Sequence, residues 1–326
     1  MFSRRSLLAS FHVPLSSRSI ATISMAPLLI RPSELNNLLK EKQDVAILDA
    51  TWFMPNVPRN GYEEFLQKRI PGAHFLDLDK VASSHPLGLK HMMPSERAFA
   101  DACESFGIKP SSHVVLYDTH GIFSSPRALF MFRTFGHSNS SVLDGGLPIW
   151  ESESNSVENG PPPEAEKAEY PTPRLDHGSI RDYDQISKNA SLDPAVAELV
   201  LDARSRGRYL GVDPEPRPGL SSGHMPNSVS LPFNVFLEQK TGPGANTFPV
   251  FKAAPDIQKA LEDAVGQDRA SRIIKGELPV VTSCGSGMTA GILWLGLKLL
   301  GAPQTAVYDE SWTGYAMRPT SKIEKN

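Results

Sequence analysis

The sequence predicts an α/β protein made of two similar domains, each a parallel sheet flanked by helices. Short apolar strands alternate with amphipathic helical stretches, a pattern typical of parallel sheets that helices cover on both faces. The same ordered signals also occur twice along the 326 residues, at separations of about 153 to 166 residues. Because several signals recur in the same order, we interpret them as an internal repeat.

The first copy of the repeat lies in the N-terminal half of the chain. It begins with the apolar strand Val45–Asp49, which ends in an acid, and continues with the turn Ile70–His74. A second strand, Val114–Asp118, leads into the helical stretch Pro126–Phe135, and the copy closes with Ser141–Gly146. This order predicts one complete α/β unit.

The second copy repeats this order with one change. Its first strand is Leu199–Asp202, and its turn is His224–Val229. The next strand, Pro279–Cys284, ends in a cysteine where the first copy has an acid. A helix predicted for Met288–Leu300 follows, and the strand Ala306–Asp309 closes the copy. The two domains therefore share a fold but differ at one chemically important position.

A polar stretch between the two copies predicts the domain boundary. It contains three consecutive prolines, Pro161–Pro163, and no periodicity, as expected for a linker over the surface. We expect a targeting or disordered segment over residues 1–27, a first domain over 28–150, a linker over 151–178 and a second domain over 179–326.

The composition excludes several functional classes. Hydrophobic residues make up 40% of the chain, charged residues 21%, and the formal net charge is −3. This balance lacks the basic excess of a nucleic-acid-binding protein, and no apolar run approaches the ~20 residues of a membrane span. We therefore expect neither direct nucleic-acid binding nor membrane insertion.

The chain has only two cysteines, Cys103 and Cys284. This number excludes a disulfide scaffold, and no Cys and His cluster has the spacing of a structural zinc site, so we expect a reducing compartment. Cys103 lies in the amphipathic stretch Phe99–Phe106, which predicts a small buried hydrophobic residue.

The N-terminus differs in composition from the rest. Residues 1–33 contain no Asp or Glu but four arginines among Ser, Leu and Ala. This composition favours a mitochondrial transit peptide over a secretory signal, with a plain disordered tail as the alternative. Initiation at Met25 would give a cytoplasmic form.

The sequence around Cys284 favours the deprotonated, anionic form of its side chain. Cys284 follows an apolar strand directly, and Gly285 and Gly287 allow the backbone to curl before the helix begins. Successive backbone N–H groups can then point inward, and the helix N-terminus adds partial positive charge, so the thiolate is favoured over the thiol. We therefore predict that Cys284 is a reactive nucleophile.

Two chemistries use such a loop. A cysteine phosphatase needs an arginine six residues after the cysteine to pair with phosphate, but that position is Ala290. A sulfur carrier needs donors for only one terminal sulfur, which backbone N–H groups can supply. A cysteine protease needs a histidine base, and the local sequence has none. The loop therefore favours a sulfur carrier.

The loop Cys284–Ala290 closely resembles that of the 3-mercaptopyruvate sulfurtransferases, the two-domain branch of the rhodanese superfamily. The resemblance spans Leu28 to Met317. Further motifs that carry it are Leu48–Trp52, Arg69–Ala73, Ser125–Arg127, Met131–His137, Leu143–Gly146, Asp202–Gly211, Pro214–Arg217, Ser222–His224 and Tyr308–Trp312.

The resemblance implies tandem rhodanese-like domains, with the first catalytically silent because Asp118 stands where the second has Cys284. It implies that sulfur passes from 3-mercaptopyruvate to a persulfide on Cys284, with release of pyruvate. A thiol acceptor such as thioredoxin, or cyanide, then takes the sulfur, and no metal or organic cofactor takes part. Its alternatives are a thiosulfate-preferring rhodanese and a protein sulfur relay, such as one toward tRNA thiolation.

The resemblance also implies a set of site residues. Thiosulfate-preferring members have basic residues where this chain has Gly285 and Ser286, and the family's substrate-binding arginines map onto Arg208 and Arg217. Both features favour mercaptopyruvate, whose carboxylate matches a guanidinium fork. The full set expected at the site is, for catalysis, Cys284, Ser286, His91 and Asp79, and, for substrate binding, Arg208, Arg217, Gly285, Gly287, Met288 and Thr289.

Two nearby residues are expected to be structural. Arg204 falls early in the same motif as Arg208, and we expect it to pair with an acid. His224 lies on a turn and is expected to be a hydrogen-bonded structural histidine. The spacing between Asp79 and His91 is one residue longer than is typical of the family, so these two residues rest on a less regular match.

Overall fold

A computed structural model, which describes residues 25–325, shows two five-stranded parallel sheets, each flanked by helices. The predicted α/β fold with two similar domains is confirmed. The predicted transit peptide falls almost wholly on residues 1–24, which lie outside the described part of the chain. Among residues 25–325, no helix is both long and apolar enough to cross a membrane.

The two sheets have the same topology. The strands of the first are β1 (Leu29–Ile30), β2 (Val45–Asp49), β3 (His74–Phe75), β4 (His113–Tyr117) and β5 (Ser140–Leu143). Those of the second are β6 (Ile180–Arg181), β7 (Leu199–Asp202), β8 (Ser228–Ser230), β11 (Val280–Ser283) and β12 (Thr305–Tyr308), while β9 (Leu237–Thr241) and β10 (Thr247–Phe251) form a separate antiparallel hairpin. The order β1-β5-β4-β2-β3 in the first sheet corresponds strand for strand to β6-β12-β11-β7-β8 in the second.

Helices cover the faces of both sheets. Those of the first half are α1 (Pro32–Lys40), α2 (Gly61–Gln67), α3 (Leu78–Val81), α4 (Glu96–Ser105), α5 (Ser125–Thr134) and α6 (Gly146–Ser152). Those of the second half are α7 (Tyr183–Asn189), α8 (Arg206–Leu210), α9 (Ala254–Val265), α10 (Gln267–Lys275), α11 (Ala290–Leu299) and α12 (Ser311–Ala316). Short 3₁₀ turns occur at His177–Ser179, Phe233–Phe236 and Pro243–Ala245.

The central strands of both sheets are apolar and buried, as their sequences predict. Every residue of β4 and β11 is buried, because each strand lies in the middle of its sheet with helices on both faces. The residues that follow these two strands, Asp118 and Cys284, therefore occupy equivalent places at the carboxyl edges of the two sheets. Open α/β sheets bind ligands at this edge.

Equivalent helices bring the domains together. Helix α5 follows the Asp118 loop and packs directly against α11, which follows the Cys284 loop. A Cβ atom at Gly291 would lie 2.8 Å from the backbone nitrogen of Arg127, so glycine allows the two helices to approach closely. The rings of Phe130 and Trp294 meet edge to face at 5.2 Å. Because these helices pack tightly, the loops before them lie on either side of one cleft.

The stretch after α6 is bound to the first domain rather than free. Arg69, which is 2% exposed, donates from Nε to Glu158 at 2.9 Å and from Nη1 to the carbonyl of Gly160 at 2.5 Å. The Tyr170 hydroxyl lies 2.9 Å from Nδ1 of His137. These contacts explain why Arg69 belongs to a recognisable motif although it lies far from the cysteine.

Candidate active site

Cys284 lies at the carboxyl end of β11, in the loop before α11. Its side chain is buried, and Sγ accepts a hydrogen bond from the N–H of Gly287 at 3.1 Å. The N–H of Cys284 itself donates to the Ser311 hydroxyl at 3.1 Å. The N–H groups of Gly285, Ser286 and Met288 donate to no acceptor among residues 25–325. The loop therefore has backbone donors to spare for an additional anionic atom beside the sulfur.

Glycine is required at position 287. Gly287 has a φ of +87°, in the left-handed region, and a Cβ atom there would lie 2.8 Å from the carbonyl oxygen of Asp309. The N–H groups of Trp312 and Thr313 bind the carbonyls of Cys284 and Gly285, both at 2.9 Å. The start of α12 thereby fixes the loop from outside.

The helix after this loop begins later than predicted. The sequence predicts a start at Met288, whereas α11 begins at Ala290. The reason is the left-handed backbone at Gly287, which turns its N–H toward Sγ and delays the first helical turn. Met288 and Thr289 consequently line the cleft instead of lying within the helix.

The cleft beside Cys284 lies between the two domains and has a volume of about 280 Å³. One wall is apolar and comes from Trp52, Met54 and Phe123 of the first domain together with Phe233 of the second. The residues from the second domain that complete it are Ala203, Arg204, Ser205, Arg208, Arg217, Cys284, Gly285, Ser286, Met288 and Thr289. This volume suits a molecule of only a few heavy atoms.

The second domain also contributes arginines to the cleft. A Cβ atom at Gly285 would lie 3.1 Å from Nη2 of Arg208 and 3.5 Å from Nη1 of Arg217, so both guanidinium groups lie over the cysteine loop. Burial lowers the pKa of Arg217, and the charge of Cys284 opposes this shift. Even so, a guanidinium remains charged in proteins. The structure thus brings the two predicted substrate-binding arginines to the predicted nucleophile.

A buried acid that the sequence analysis missed organises this wall. Glu215 accepts hydrogen bonds from Nε of Arg208 at 3.1 Å and from Nη1 of Arg204 at 2.7 Å. Arg204 also pairs with Asp202 at 2.6 Å and stacks 4.0 Å over the ring of Trp312. Arg204 is therefore structural and paired with acids, as expected. The only sequence signal for Glu215 is its place between two prolines, seven residues after Arg208.

Arg217 differs from its neighbours in having no acidic partner among the described residues. Arg208 directs two of its nitrogens at Glu215, with Nη2 at 2.5 Å from Oε2. Its charge is therefore largely compensated inside the protein. The guanidinium of Arg217 is half-buried and keeps its donors for an external anion.

The structure joins two of the three residues expected in a proton relay. Nδ1 of His91 lies 3.0 Å from Oδ1 of Asp79, and Trp52 donates from Nε1 to the other carboxylate oxygen at 3.3 Å. Burial alone would raise the pKa of Asp79, but the hydrogen bonds from His91 and Trp52 lower it below the ordinary value. No hydrogen bond among residues 25–325 joins the Ser286 hydroxyl to this pair.

Nε2 of His91 is buried and has no hydrogen-bond partner within the described part of the chain. The Trp52 ring, which lines the cleft, meets the imidazole edge-on at 5.1 Å. His91 therefore has one nitrogen fixed by a carboxylate and the other left unoccupied. That is the arrangement a proton donor or acceptor requires.

The first domain has a closed version of the cysteine loop. Oδ2 of Asp118 accepts N–H bonds from Phe123 at 2.9 Å and from Ser124 at 3.0 Å. It accepts a further N–H bond from Ser125 at 2.9 Å and the hydroxyl of the same residue at 2.7 Å. Although burial opposes ionisation, the nearby imidazole of His120 and the hydrogen bonds from Ser125 lower the pKa of Asp118 to about 2. A fixed carboxylate thus fills the place that Cys284 occupies in the second domain.

Two other sequence interpretations agree with the structure. His224 is 5% exposed, lies 2.9 Å through Nδ1 from the carbonyl of Tyr209 and stacks on that ring at 4.1 Å. Cys103 is 1% exposed, and burial raises the pKa of its thiol. Among residues 25–325, no group of three or more His, Cys, Asp or Glu side chains is arranged to hold a metal ion.

Comparison with known proteins identifies the fold family. The model of the rhodanese-like domain matches residues 31–153 and again 183–318. A protein of Schizosaccharomyces pombe named probable 3-mercaptopyruvate sulfurtransferase is 36% identical over 284 residues, which cover 87% of this chain and 90% of that protein. The thiosulfate sulfurtransferase of Bos taurus is also 36% identical, over 82% of this chain and 83% of its own length. Sequence identity alone therefore does not distinguish relatives named for mercaptopyruvate from relatives named for thiosulfate.

A solved structure agrees over almost the whole chain. The Tum1 protein of Saccharomyces cerevisiae matches with a TM-score of 0.78 and 28% sequence identity, covering 92% of this chain and 99% of that one. The matched domains, the duplicated sheets and the cysteine loop support the same assignment. The chain belongs to the rhodanese family.

Proposed function

We propose that this protein transfers sulfur from 3-mercaptopyruvate to a thiol acceptor through a persulfide on Cys284. The observation that carries the proposal is the position of Cys284, whose Sγ accepts the Gly287 N–H at the base of a small cleft walled by Arg208 and Arg217. A 2-keto acid thiol has one carboxylate, which suits a guanidinium fork, and one sulfur, which suits a thiolate nucleophile.

In the first half-reaction, the substrate carboxylate binds Arg217, with Arg208 beside it. The Cys284 thiolate attacks the substrate sulfur and forms an S–S bond, while the C–S bond breaks and its electron pair stays on carbon. The leaving group is the enolate of pyruvate, which then takes a proton. We assign the management of this proton to His91, oriented by Asp79, because Nε2 of His91 is unoccupied.

In the second half-reaction, the thiolate of an acceptor attacks the outer sulfur of the persulfide. The S–S bond to Cys284 breaks and returns the thiolate, and the acceptor leaves as a persulfide. Thioredoxin or a small-molecule thiol fits this step because each offers a thiolate that can attack the terminal sulfur. Cyanide attacks the same sulfur and leaves as thiocyanate. Both half-reactions balance without a metal, an oxidant or an organic cofactor.

The polarity of the loop favours mercaptopyruvate over thiosulfate. Thiosulfate is a compact dianion without a carboxylate, and it needs positive charge close to the sulfur. Gly285 and Ser286, which follow the cysteine, are neutral, and Arg208 is compensated by Glu215. One uncompensated cation, Arg217, matches the single carboxylate of mercaptopyruvate better than two negative charges.

The Ser286 hydroxyl lies in the loop and lines the cleft, but it is not bonded to His91 in the free protein. We propose that it contacts the substrate carbonyl and links to His91 only through bound substrate. Catalytic hydrogen bonds are often completed only in the complex with substrate. Ser286→Ala should therefore slow transfer while leaving the pairing of His91 with Asp79 intact.

A direct experiment tests the proposal. The purified protein is mixed with mercaptopyruvate or thiosulfate without an acceptor, and intact-mass spectrometry then looks for one added sulfur atom on Cys284. We expect rapid loading from mercaptopyruvate, slower loading from thiosulfate, and none for Cys284→Ser. Cys103→Ser is the matched control, because Cys103 is buried away from the cleft. Pyruvate formation at the normal rate by Cys284→Ser would sink the mechanism.

Two finer proposals concern the setting of this reaction. The acid-free, arginine-containing N-terminus supports a mitochondrial location, with initiation at Met25 giving a cytoplasmic form. N-terminal sequencing of protein from each compartment tests this. A role as a sulfur relay to a partner protein is compatible with the same persulfide, and transfer of labelled sulfur from Cys284 to a candidate acceptor protein would distinguish it from free metabolite turnover.

A further inference from the structure

Arg127 is a buried cation at the domain interface that takes no direct part in the proposed reaction. It lies on α5 of the first domain and is 2% exposed. Its Nη2 donates to the carbonyl oxygen of His91 at 2.8 Å and pairs with Asp309 of the second domain. Burying a guanidinium is costly unless its partners are well placed, so contacts of this kind point to a specific requirement.

The partners of Arg127 hold the backbone on both sides of Met92. Asp309, which follows β12, uses its second carboxylate oxygen to accept the N–H of Met93 at 2.9 Å. Two residues before Met93, His91 has a φ of +46°, in the left-handed region that residues other than glycine rarely adopt. Such a conformation persists only where the surroundings hold it in place. The bond from Arg127 to the His91 carbonyl supplies that constraint.

Arg127 also touches the cysteine loop. A Cβ atom at Gly287 would lie 3.4 Å from Nη1 of Arg127, so the guanidinium packs directly against the residue whose N–H binds Sγ of Cys284. Nη1 is buried and has no acceptor among residues 25–325. A single side chain of the silent domain is thus in contact with the histidine segment and with the nucleophile loop.

We propose that Arg127 is a positioning residue that, together with Asp309, fixes the segment carrying His91 relative to the Cys284 loop. This inference rests on the proposed function, in which His91 manages the proton of the leaving enolate. The first domain therefore lacks a nucleophile but still contributes residues to the proposed reaction. It supplies the histidine, and Arg127 fixes where that histidine stands.

The opposite side of the interface offers a matched control. Asp144 follows β5 as Asp309 follows β12, and its Oδ1 accepts the N–H of Phe251 from the second domain at 2.9 Å. This contact also joins the domains, but neither residue lines the cleft. Asp144→Asn removes a charge from an equivalent interdomain contact without disturbing His91 or the cysteine loop.

The experiment compares Arg127→Met, Arg127→Lys, His91→Asn, the double variant Arg127→Met/His91→Asn, and Asp144→Asn. Steady-state turnover of mercaptopyruvate gives kcat and KM, and thermal unfolding gives the stability of each variant. We expect Arg127→Met to lower kcat about 10- to 100-fold with little change in KM, because a displacement of about 1 Å can cost that much. Arg127→Lys, which keeps the charge and donors, should recover part of the loss.

The double variant decides between positioning and general loosening. If Arg127 acts through His91, the double variant turns over no more slowly than His91→Asn alone. The proposal would be overturned if the losses in kcat of the two single variants multiplied in the double variant. It would also be overturned by an equal loss of kcat in Asp144→Asn, or by wild-type kcat in Arg127→Met. Wild-type kcat in His91→Asn beside a slow Arg127→Met would overturn it as well, while leaving Cys284-dependent transfer intact. Where Arg127→Met unfolds, Arg127→Lys combined with His91→Asn gives the same comparison.

Discussion

Replacing Arg217 with alanine removes the one guanidinium at the cleft that has no acidic partner among residues 25–325. Arg208 has two nitrogens committed to Glu215, so it cannot fully replace the lost carboxylate site. The variant should still fold, because Arg217 is only half-buried and makes no ion pair there. The expected defect is therefore in substrate binding rather than in stability.

The magnitude follows from the lost contact. A hydrogen bond to a charged group contributes about 1.5–3 kcal/mol, which corresponds to about a 10- to 150-fold rise in KM for mercaptopyruvate. With cyanide as acceptor, initial rates are measured over a range of mercaptopyruvate and of thiosulfate concentrations. KM for thiosulfate should rise less, since it presents no carboxylate to the fork.

Arg206→Ala provides the matched control for this variant. Arg206 lies in the same sequence motif as Arg208, but its side chain is exposed and does not line the cleft. Replacing Arg206 with alanine removes one positive charge, as the Arg217 variant does, without altering the site. Its KM for mercaptopyruvate should stay near the wild-type value. Equal rises in KM for both donors after loss of Arg217, or a similar rise in Arg206→Ala, would refute the assignment of Arg217 as the carboxylate site.

Three further predictions address the loops and the linker. Gly287→Ala should lower the free energy of unfolding by about 1–2 kcal/mol, because alanine resists a left-handed backbone, and should slow sulfur loading; a wild-type loading rate by mass spectrometry would contradict this. Asp118→Asn should lower stability by about 2 kcal/mol at pH 7, since the folded pKa of Asp118 is about 2 against an ordinary value near 4. This stabilisation is present above about pH 4 and is lost as the pH falls through about 2. Denaturant titrations should therefore give free energies of unfolding for the two proteins that converge in acid. A difference that stays constant with pH would show that the charge of Asp118 is not the source of the stabilisation. Arg69→Met should release the stretch after Glu158 and speed its limited proteolysis, with an unchanged cleavage pattern excluding this anchor.

The parts of the fold that follow from local sequence were predictable. The strands ending at Asp49 and Asp202 begin and end where their apolar runs predict, because a central parallel strand must be apolar on both faces. The strand, cysteine and glycine order likewise predicts the loop at Cys284. Arg204 was expected to pair with an acid, and Asp202 lies only two residues away. Local spacing carries this information.

The missed features depend on contacts between distant segments. Asp309 and Arg127 are 182 residues apart, and no periodicity indicates that they meet. Glu215 is close to Arg208 in sequence, but the sequence does not show whether its side chain points into solvent or toward the two arginines that it binds. The sequence does not predict the hairpin from Leu237 to Phe251, because its first strand is mostly exposed and polar and so has no apolar run. These features can be recognised only once the packing of the two domains is known.

The two loops suggest how the second domain is poised to hold sulfur. In the first domain, the carboxylate oxygens of Asp118 lie two bonds beyond Cβ and accept the surrounding N–H groups. In a persulfide, the outer sulfur also lies two bonds beyond Cβ of Cys284, where the N–H groups of Gly285 and Ser286 have no acceptor among residues 25–325. We infer that Asp118 is a permanent counterpart of the sulfur-loaded state. Loading Cys284 from mercaptopyruvate should then raise the melting temperature, because it fills donors that the free enzyme leaves unpaired. A melting temperature that is unchanged or lower after loading, with the added sulfur verified by mass, would show that the outer sulfur lies outside the loop.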